Sequence, residues 1–237
     1  MEDLFYLEHC SSTNDELASL LLYPESNFIS AYTFNQTKGR GQYGNSWDSD
    51  AGKNLAYSLA VNCAAVKVSD FLFNYYTAVC VRDFLANLTD KNVKIKWPND
   101  IIIQNKKVCG ILLEKRKYNN QSYFVIGTGI NILQENFEGI SNAGSILTQT
   151  SIVFDLKIFA QKYHEFMVSN LKEIPSHDVI LQKFNENLFR KDVISVFEKD
   201  GIRQNGIIRF ADENGKIHIE FEESCEVFYH KEIKLLY

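Results

Sequence analysis

Residues 36–55 concentrate groups that can hold an anion. Four of the chain's 12 glycines fall there, with Lys38, Arg40, Lys53 and Trp47, one of two tryptophans. Glycine leaves backbone amides bare and lets them approach a ligand. Amides and cations together suit a phosphate or a carboxylate, and an indole offers a flat face to a ring. The stretch reads as an anion-binding loop that closes over a ligand. A polar surface loop is the plain alternative, and the neighbouring segments must decide between them.

Two other stretches carry comparable groups. Ser11, Ser12 and Thr13 stand before the apolar run Leu17-Ala18-Ser19-Leu20-Leu21. Thr13 and Glu16 have capping-box spacing, which predicts a helix start with free amides. A cap needs one hydroxyl and three are present, so the others remain for a ligand. Lys96-Trp97-Pro98-Asn99-Asp100 lies between two apolar runs. Pro98 removes a donor and Asn-Asp favours a turn, so a sharp turn presents these residues.

The elements that must position these groups follow from periodicity. Strands are predicted at 4–7, 28–34, 54–60, 93–96, 101–103, 108–114 and 122–132, with Gln104-Asn105-Lys106-Lys107 as a hairpin turn. A helix is predicted over 69–88, its apolar stripe Phe71, Leu72, Tyr75, Tyr76, Val79, Phe84 and Leu85 facing the core. Two more helices are predicted at 155–171 and 178–188. Hairpin-linked strands imply a mixed, largely antiparallel sheet flanked by helices, an α+β fold. From about residue 190 the pattern becomes short strands separated by turns, which suggests a small C-terminal β-barrel over 190–237 beside a main domain over 1–189.

The 237 residues carry a net charge of -5, which disfavours DNA as a partner. No apolar run approaches the roughly 20 residues that span a bilayer. The five cysteines form no Cys-x-x-Cys pair and fit reduced core thiols in a cytoplasmic protein. Gly127-Thr128-Gly129 lacks the third glycine of a dinucleotide fingerprint, and no P-loop or nucleophile-elbow motif occurs. The histidines and cysteines are not spaced as a zinc site.

Taken in order, the motifs resemble one family, the biotin–protein ligases, relatives of lipoate–protein ligases and class II aminoacyl-tRNA synthetases. The resemblance rests on Ser12-Thr13-Asn14, on Gln36-x-x-Gly39-Arg40-Gly41-x-x-Gly44-x-x-Trp47 and on Gly52-x-Asn54-Leu55. It continues through Lys96-Trp97-Pro98-Asn99-Asp100, Lys107-x-x-Gly110-Ile111-Leu112-x-Glu114 and Gly127-x-Gly129-x-Asn131. The family fold ends in an SH3-like β-barrel, matching the strands after 190. The loop departs from the usual pattern: Gln42 and Asn45 stand where the family often has arginines, leaving Arg40 as the loop's one arginine. The chain begins almost at the Ser-Ser-Thr-Asn motif, so no DNA-binding helix-turn-helix is expected.

The resemblance implies ATP-dependent formation of biotinyl-5′-AMP, then transfer of biotin to a lysine of a biotin carboxyl carrier domain. Two anions meet in the first step, and Arg40 and Lys107 would offset their repulsion together with Mg²⁺. Biotin would be held by Ser12, Thr13, Asn14, Gln36, Gly39, Arg40, Gly41, Lys107 and Gly110. ATP would be held by Trp47, Asn54, Lys96, Asn99, Asp100 and Asn131. Asp100 would help hold the metal or orient a cation. Relatives include monomers and dimers, so a homodimer stays open. The closest rival is a lipoate or octanoate ligase, which shares the acyl-adenylate logic; paired hydroxyls and an amide suit biotin's ureido ring better.

Overall fold

The computed structural model describes residues 3–21 and 28–237. In chain order the main body contains β1 (Asp3–Tyr6), α1 (Thr13–Leu20), β2 (Phe28–Thr33), β3 (Gly39–Arg40), β4 (Ser46–Trp47) and β5 (Asn54–Asn62). There follow α2 (Asp70–Thr89), β6 (Val93–Lys96), β7 (Asp100–Ile103), β8 (Lys106–Tyr118), β9 (Gln121–Asn131), α3 (Ile146–Thr150), α4 (Leu156–Lys172) and α5 (His177–Glu186). Seven strands form one sheet in the order β1-β2-β5-β9-β8-β7-β6. Only β1 and β2 pair in parallel; the other neighbours are antiparallel.

Helices cover both faces of this sheet, which is why β2 is buried along its whole length. Strand residues alternate between faces. Ile29, Ala31, Ala60 and Val125 pack under α1 with Leu17 and Leu21. Phe28, Tyr32, Leu59 and Phe124 turn the other way, into the larger core with α2 and α4. Ser69 caps α2 by accepting from the Leu72 amide at 3.3 Å. The predicted stripe on α2 holds except at Phe71, which is 50% exposed. Tyr75 of α2 stacks on Phe184 of α5, ring centroids 3.8 Å apart.

Five strands make the C-terminal sheet: β10 (Ile194–Lys199), β11 (Ile202–Ala211), β12 (Ile217–Glu220), β13 (Cys225–Phe228) and β14 (Lys234–Leu236). They are antiparallel, in the order β13-β12-β11-β10-β14. Phe197, Ile208, Ile217, Ile219 and Phe228 belong to the same core as the main sheet. Asn185 of α5 clamps β11, donating to the Ala211 carbonyl at 2.9 Å and accepting from its amide at 2.7 Å.

Three local expectations need correction. The Thr13–Glu16 capping box does not form: Ser12 is the N-cap, and no side chain of its own bonds the helix end. The hairpin turn expected over Gln104 to Lys107 is shorter, because β8 begins at Lys106 and pairs with β7 from there. Of the five thiols, Cys10, Cys80 and Cys109 are buried, but Cys225 is exposed.

Candidate active site

A cavity of about 270 Å³ opens between the start of α1, the β3–β4 ribbon and the face of β8 and β9. Twelve of the residues singled out from the sequence line it: Ser12, Thr13, Asn14, Gln36, Arg40, Gly41, Trp47, Lys96, Asn99, Asp100, Lys107 and Gly110. Gly39, Asn54 and Asn131 are not among its lining residues.

One end of the cavity is a hydrogen-bonded cluster. The Gln36 Oε1 accepts from the Thr13 amide at 2.9 Å and from the Thr13 hydroxyl at 3.3 Å. A side chain from beyond β2 thus satisfies the helix start, where the sequence predicted a local cap. It also fixes the amide so that Gln36 Nε2 is the donor end. Ser58 of β5 lies 2.7 Å from Thr13 Oγ1 and 2.5 Å from Asn14 Oδ1. Asn14 in turn donates to Glu114 of β8 at 2.7 Å. Gly127 makes room for this, since a Cβ there would lie 2.4 Å from Asn14 Oδ1.

The middle of the cavity is a glycine platform. Gly110 and Gly129 are cross-strand partners on β8 and β9. With no side chains there, the Trp47 indole lies directly on the sheet. A Cβ at Gly129 would lie 2.3 Å from Trp47 Cε2, and one at Gly110 2.9 Å from Cζ3. Gly39 brings the ribbon close in the same way, its missing Cβ falling 2.3 Å from the Trp47 carbonyl.

The far end is cationic. Lys107 stands 2.7 Å from the Asp100 carboxylate and 5.6 Å from the Trp47 ring centroid. Lys96 lies 3.8 Å from the same carboxylate. Burial, reinforced by the Lys107 charge, lowers the Lys96 pKa, while Asp100 opposes the shift. Asn99 is buried and donates to the Ile111 carbonyl at 2.7 Å, which holds the Trp97-Pro98 turn, a cis peptide, against β8. The described residues contain no group of three or more His, Cys, Asp or Glu able to hold a metal. Asp100 is engaged by two ammonium groups, those of Lys96 and Lys107.

Arg40 does not point at the cationic end. Its guanidinium donates to Asp15 of α1 at 2.7 Å and lies 3.8 Å from Glu114. Arg116 of β8 joins the same pair, at 3.0 Å from Asp15 and 2.6 Å from Glu114. Burial raises the Asp15 pKa, but the bonds and charges of the two arginines outweigh it and hold the carboxyl below its usual range. The loop is latched to α1 and β8 through its one arginine.

Asn54 lies behind the cavity wall. It bonds Gln134, donates to Ser49 at 3.3 Å and accepts from the Ile132 amide at 3.0 Å. Asn131 donates to the Gly144 carbonyl at 3.0 Å, while its buried Oδ1 meets no donor among the described residues. Ser58, Asp15, Arg116 and His230 were not found from the sequence. Ser58 sits within an apolar strand, and the carboxylate–arginine latch spans about a hundred positions between α1 and β8. His230 arrives from the turn between β13 and β14 to line the cavity beside Lys96 and Asp100. Glu114 closes a sequence motif, and that spacing was the one available signal.

The biotin/lipoate A/B protein ligase family matches residues 7–131. The chain is similar to the bifunctional ligase/repressor BirA of Escherichia coli (strain K12), 32% identical over 116 residues that cover 48% of this chain and 36% of that protein. It is similar to the biotin--[acetyl-CoA-carboxylase] ligase of Mycobacterium tuberculosis, 29% identical over 156 residues, 64% of this chain and 54% of that protein. The matches thus span from about a third to about half the length of these curated relatives. Among solved structures, the biotin protein ligase from Aquifex aeolicus in complex with biotin and ATP superposes with a TM-score of 0.81 at 25% identity, covering 100% of this chain and 99% of that one. The family match covers more than half of the sequence and contains the whole glycine loop, the Lys-Trp-Pro-Asn-Asp turn and the platform. The chain belongs to the biotin/lipoate A/B protein ligase family.

Proposed function

We propose that the protein is an ATP-dependent biotin–protein ligase. It activates biotin as biotinyl-5′-AMP and transfers biotin to a lysine of a biotin carboxyl carrier domain. The observation that carries this reading is one cavity with a hydrogen-bonding end, a side-chain-free platform and a cationic end in sequence. A ureido ring has a carbonyl acceptor and two N–H donors on an apolar bicycle, and its acid lies at the end of a flexible tail. Gln36 Nε2 supplies a donor at one end of the cavity, and Ser12, Thr13 and Asn14 supply hydroxyl and amide groups around it. Gly39 and Gly41 bring the loop backbone close, and Gly110 floors the site.

Activation joins a carboxylate to an α-phosphate, so charge must be offset where both meet. Lys107, oriented by Asp100, is the cation we place there. Arg40 acts with it by closing the loop over the intermediate. Trp47 and Lys96 serve the nucleotide, with Asn99 holding the turn beneath. Asn131 is assigned to the nucleotide end, where its side chain is held by donating to the Gly144 carbonyl. Asn54 braces the nucleotide end from behind through Gln134. Mg²⁺ would come with ATP and neutralise its phosphates. Closure keeps water from the labile anhydride until the carrier docks.

We assign 1–189 to the catalytic unit and 190–237 to the barrel-type module. The free cysteines fit a reducing cytoplasm. No described helix is long and apolar enough to cross a membrane. The net charge of -5 speaks against DNA as a partner. ATP–pyrophosphate exchange tests the substrate: biotin should support it and lipoate should not. Exchange with lipoate alone would replace this reading by the lipoate one.

A further inference from the structure

Ser58 is fully buried in the middle of β5 and is not a lining residue of the adenylation cavity. Its cross-strand partner on β9 is Gly127. The missing Gly127 side chain leaves a niche that Asn14 fills from α1, and this sets the Asn14 amide against the Ser58 hydroxyl. Ser58 thus sits behind Thr13 and Asn14, which do line the cavity. It joins them to the ion-paired carboxylate of Glu114 on β8.

The direction of each hydrogen bond follows from counting protons. The Glu114 carboxylate only accepts, and it takes Arg116 at 2.6 Å and Asn14 Nδ2 at 2.7 Å. That contact turns the Asn14 carbonyl oxygen toward Ser58, and this oxygen too can only accept. Ser58 has one proton and gives it to Asn14 Oδ1 at 2.5 Å. Its oxygen, 2.7 Å from Thr13 Oγ1, must then accept. Thr13 has one proton as well, and both atoms that take it belong to the protein, Ser58 Oγ at 2.7 Å and Gln36 Oε1 at 3.3 Å. Thr13 Oγ1 therefore has only lone pairs left for a ligand. Glu114 fixes this state through Asn14 and Ser58.

We infer that Ser58 is a positioning residue that makes Thr13 Oγ1 a fixed acceptor and so selects acids whose tail carries an N–H. Gln36 Nε2 is the fixed donor at the same end of the cavity. One acceptor and one donor fit the N–H and the neighbouring carbonyl of a cyclic urea. A dithiolane or alkyl tail leaves both protein groups unpaired, and a site built to hydrogen-bond its ligand rejects such tails. Without the Ser58 hydroxyl, Asn14 Oδ1 loses its donor. The Thr13 proton is then free to turn toward the ligand, where it opposes a ligand N–H. This role rests on the ligase reading above.

Ser58→Ala tests the role with two ligands that share the adenylate end, biotinyl-5′-AMP and octanoyl-5′-AMP. Binding of biotinyl-5′-AMP should weaken roughly tenfold, the scale of a lost hydrogen bond. The octanoyl tail has no N–H, so the Kd of octanoyl-5′-AMP should stay within about twofold, which also reports a folded site. In biotin-dependent ATP–pyrophosphate exchange, KM for biotin should rise by about the same tenfold, with kcat and the KM for ATP within about twofold of wild type. Equal weakening of both adenylates would overturn the proposal, because it marks a packing role. So would an unchanged affinity for biotinyl-5′-AMP. A wild type that supports exchange with lipoate and not with biotin would instead overturn the ligase reading, and with it the role of Ser58.

Discussion

Gly110 and Gly129 face each other across β8 and β9, and the Trp47 indole lies over both. The two glycines are far apart in sequence from the loop that carries Trp47, yet each is required by the same ring. A side chain at either position lifts the indole and fills the platform.

Gly129→Ala tests that relationship. Its Cβ would meet Trp47 at 2.3 Å, well inside contact distance. Overpacking of this kind costs about 1–3 kcal/mol. Tryptophan emission should shift to the red, as Trp47 is one of only two tryptophans. Biotin affinity should fall at least about tenfold, equivalent to roughly 1.4 kcal/mol. Wild-type emission and affinity together would show that the platform does not set the site.

The Asp100–Lys107 pair should divide its effects. Lys107→Ala should reduce kcat/KM for adenylation by about 10²–10⁴ if it stabilises the developing phosphoryl charge. Asp100→Asn keeps the ammonium but releases it, so its loss should be smaller. Steady-state exchange kinetics on both variants would check the order. Normal activity in Lys107→Ala would remove its role.

Asp15→Asn should loosen the loop without touching the cationic end. The ion pair to Arg40 is half exposed, and such pairs are worth roughly 0.2–1 kcal/mol. Trypsin should therefore cut after Lys38 and Arg40 faster by a factor of a few. In the wild type the same gain should appear on acidification. The Asp15 carboxyl is held below its ordinary range, so the latch is fully present above about pH 4 and is lost as pH falls through the lowered folded pKa. Cleavage that is unchanged in Asp15→Asn would show that the loop is held elsewhere. An acid-stable protease would extend the readout to low pH.

Much of the site was legible because its groups lie in short, dense motifs. The glycine loop, the Lys-Trp-Pro-Asn-Asp turn and the β8 and β9 glycines all met at one cavity. The strand and helix order was also legible from apolar periodicity, with most boundaries shifted by a residue or two, while β8 runs four residues further and β11 starts four residues earlier than the pattern indicated. Three kinds of feature were not. Gln36 capping α1 is a tertiary bond across 23 positions, and local capping statistics point to Thr13 and Glu16 instead. The Arg40 latch depends on Asp15 and Arg116, whose spacing has no periodic signal. Short α3 and β13, five and four residues long, carry too little pattern to separate from turns.

The ligase reading is tested most directly by incubating the purified protein with ATP, Mg²⁺, labelled biotin and a biotin carboxyl carrier domain. The account predicts label covalently attached to one lysine of that domain, dependent on ATP and abolished when the lysine is replaced. Carrier that stays unlabelled, with no AMP formed in the presence of biotin, would contradict it.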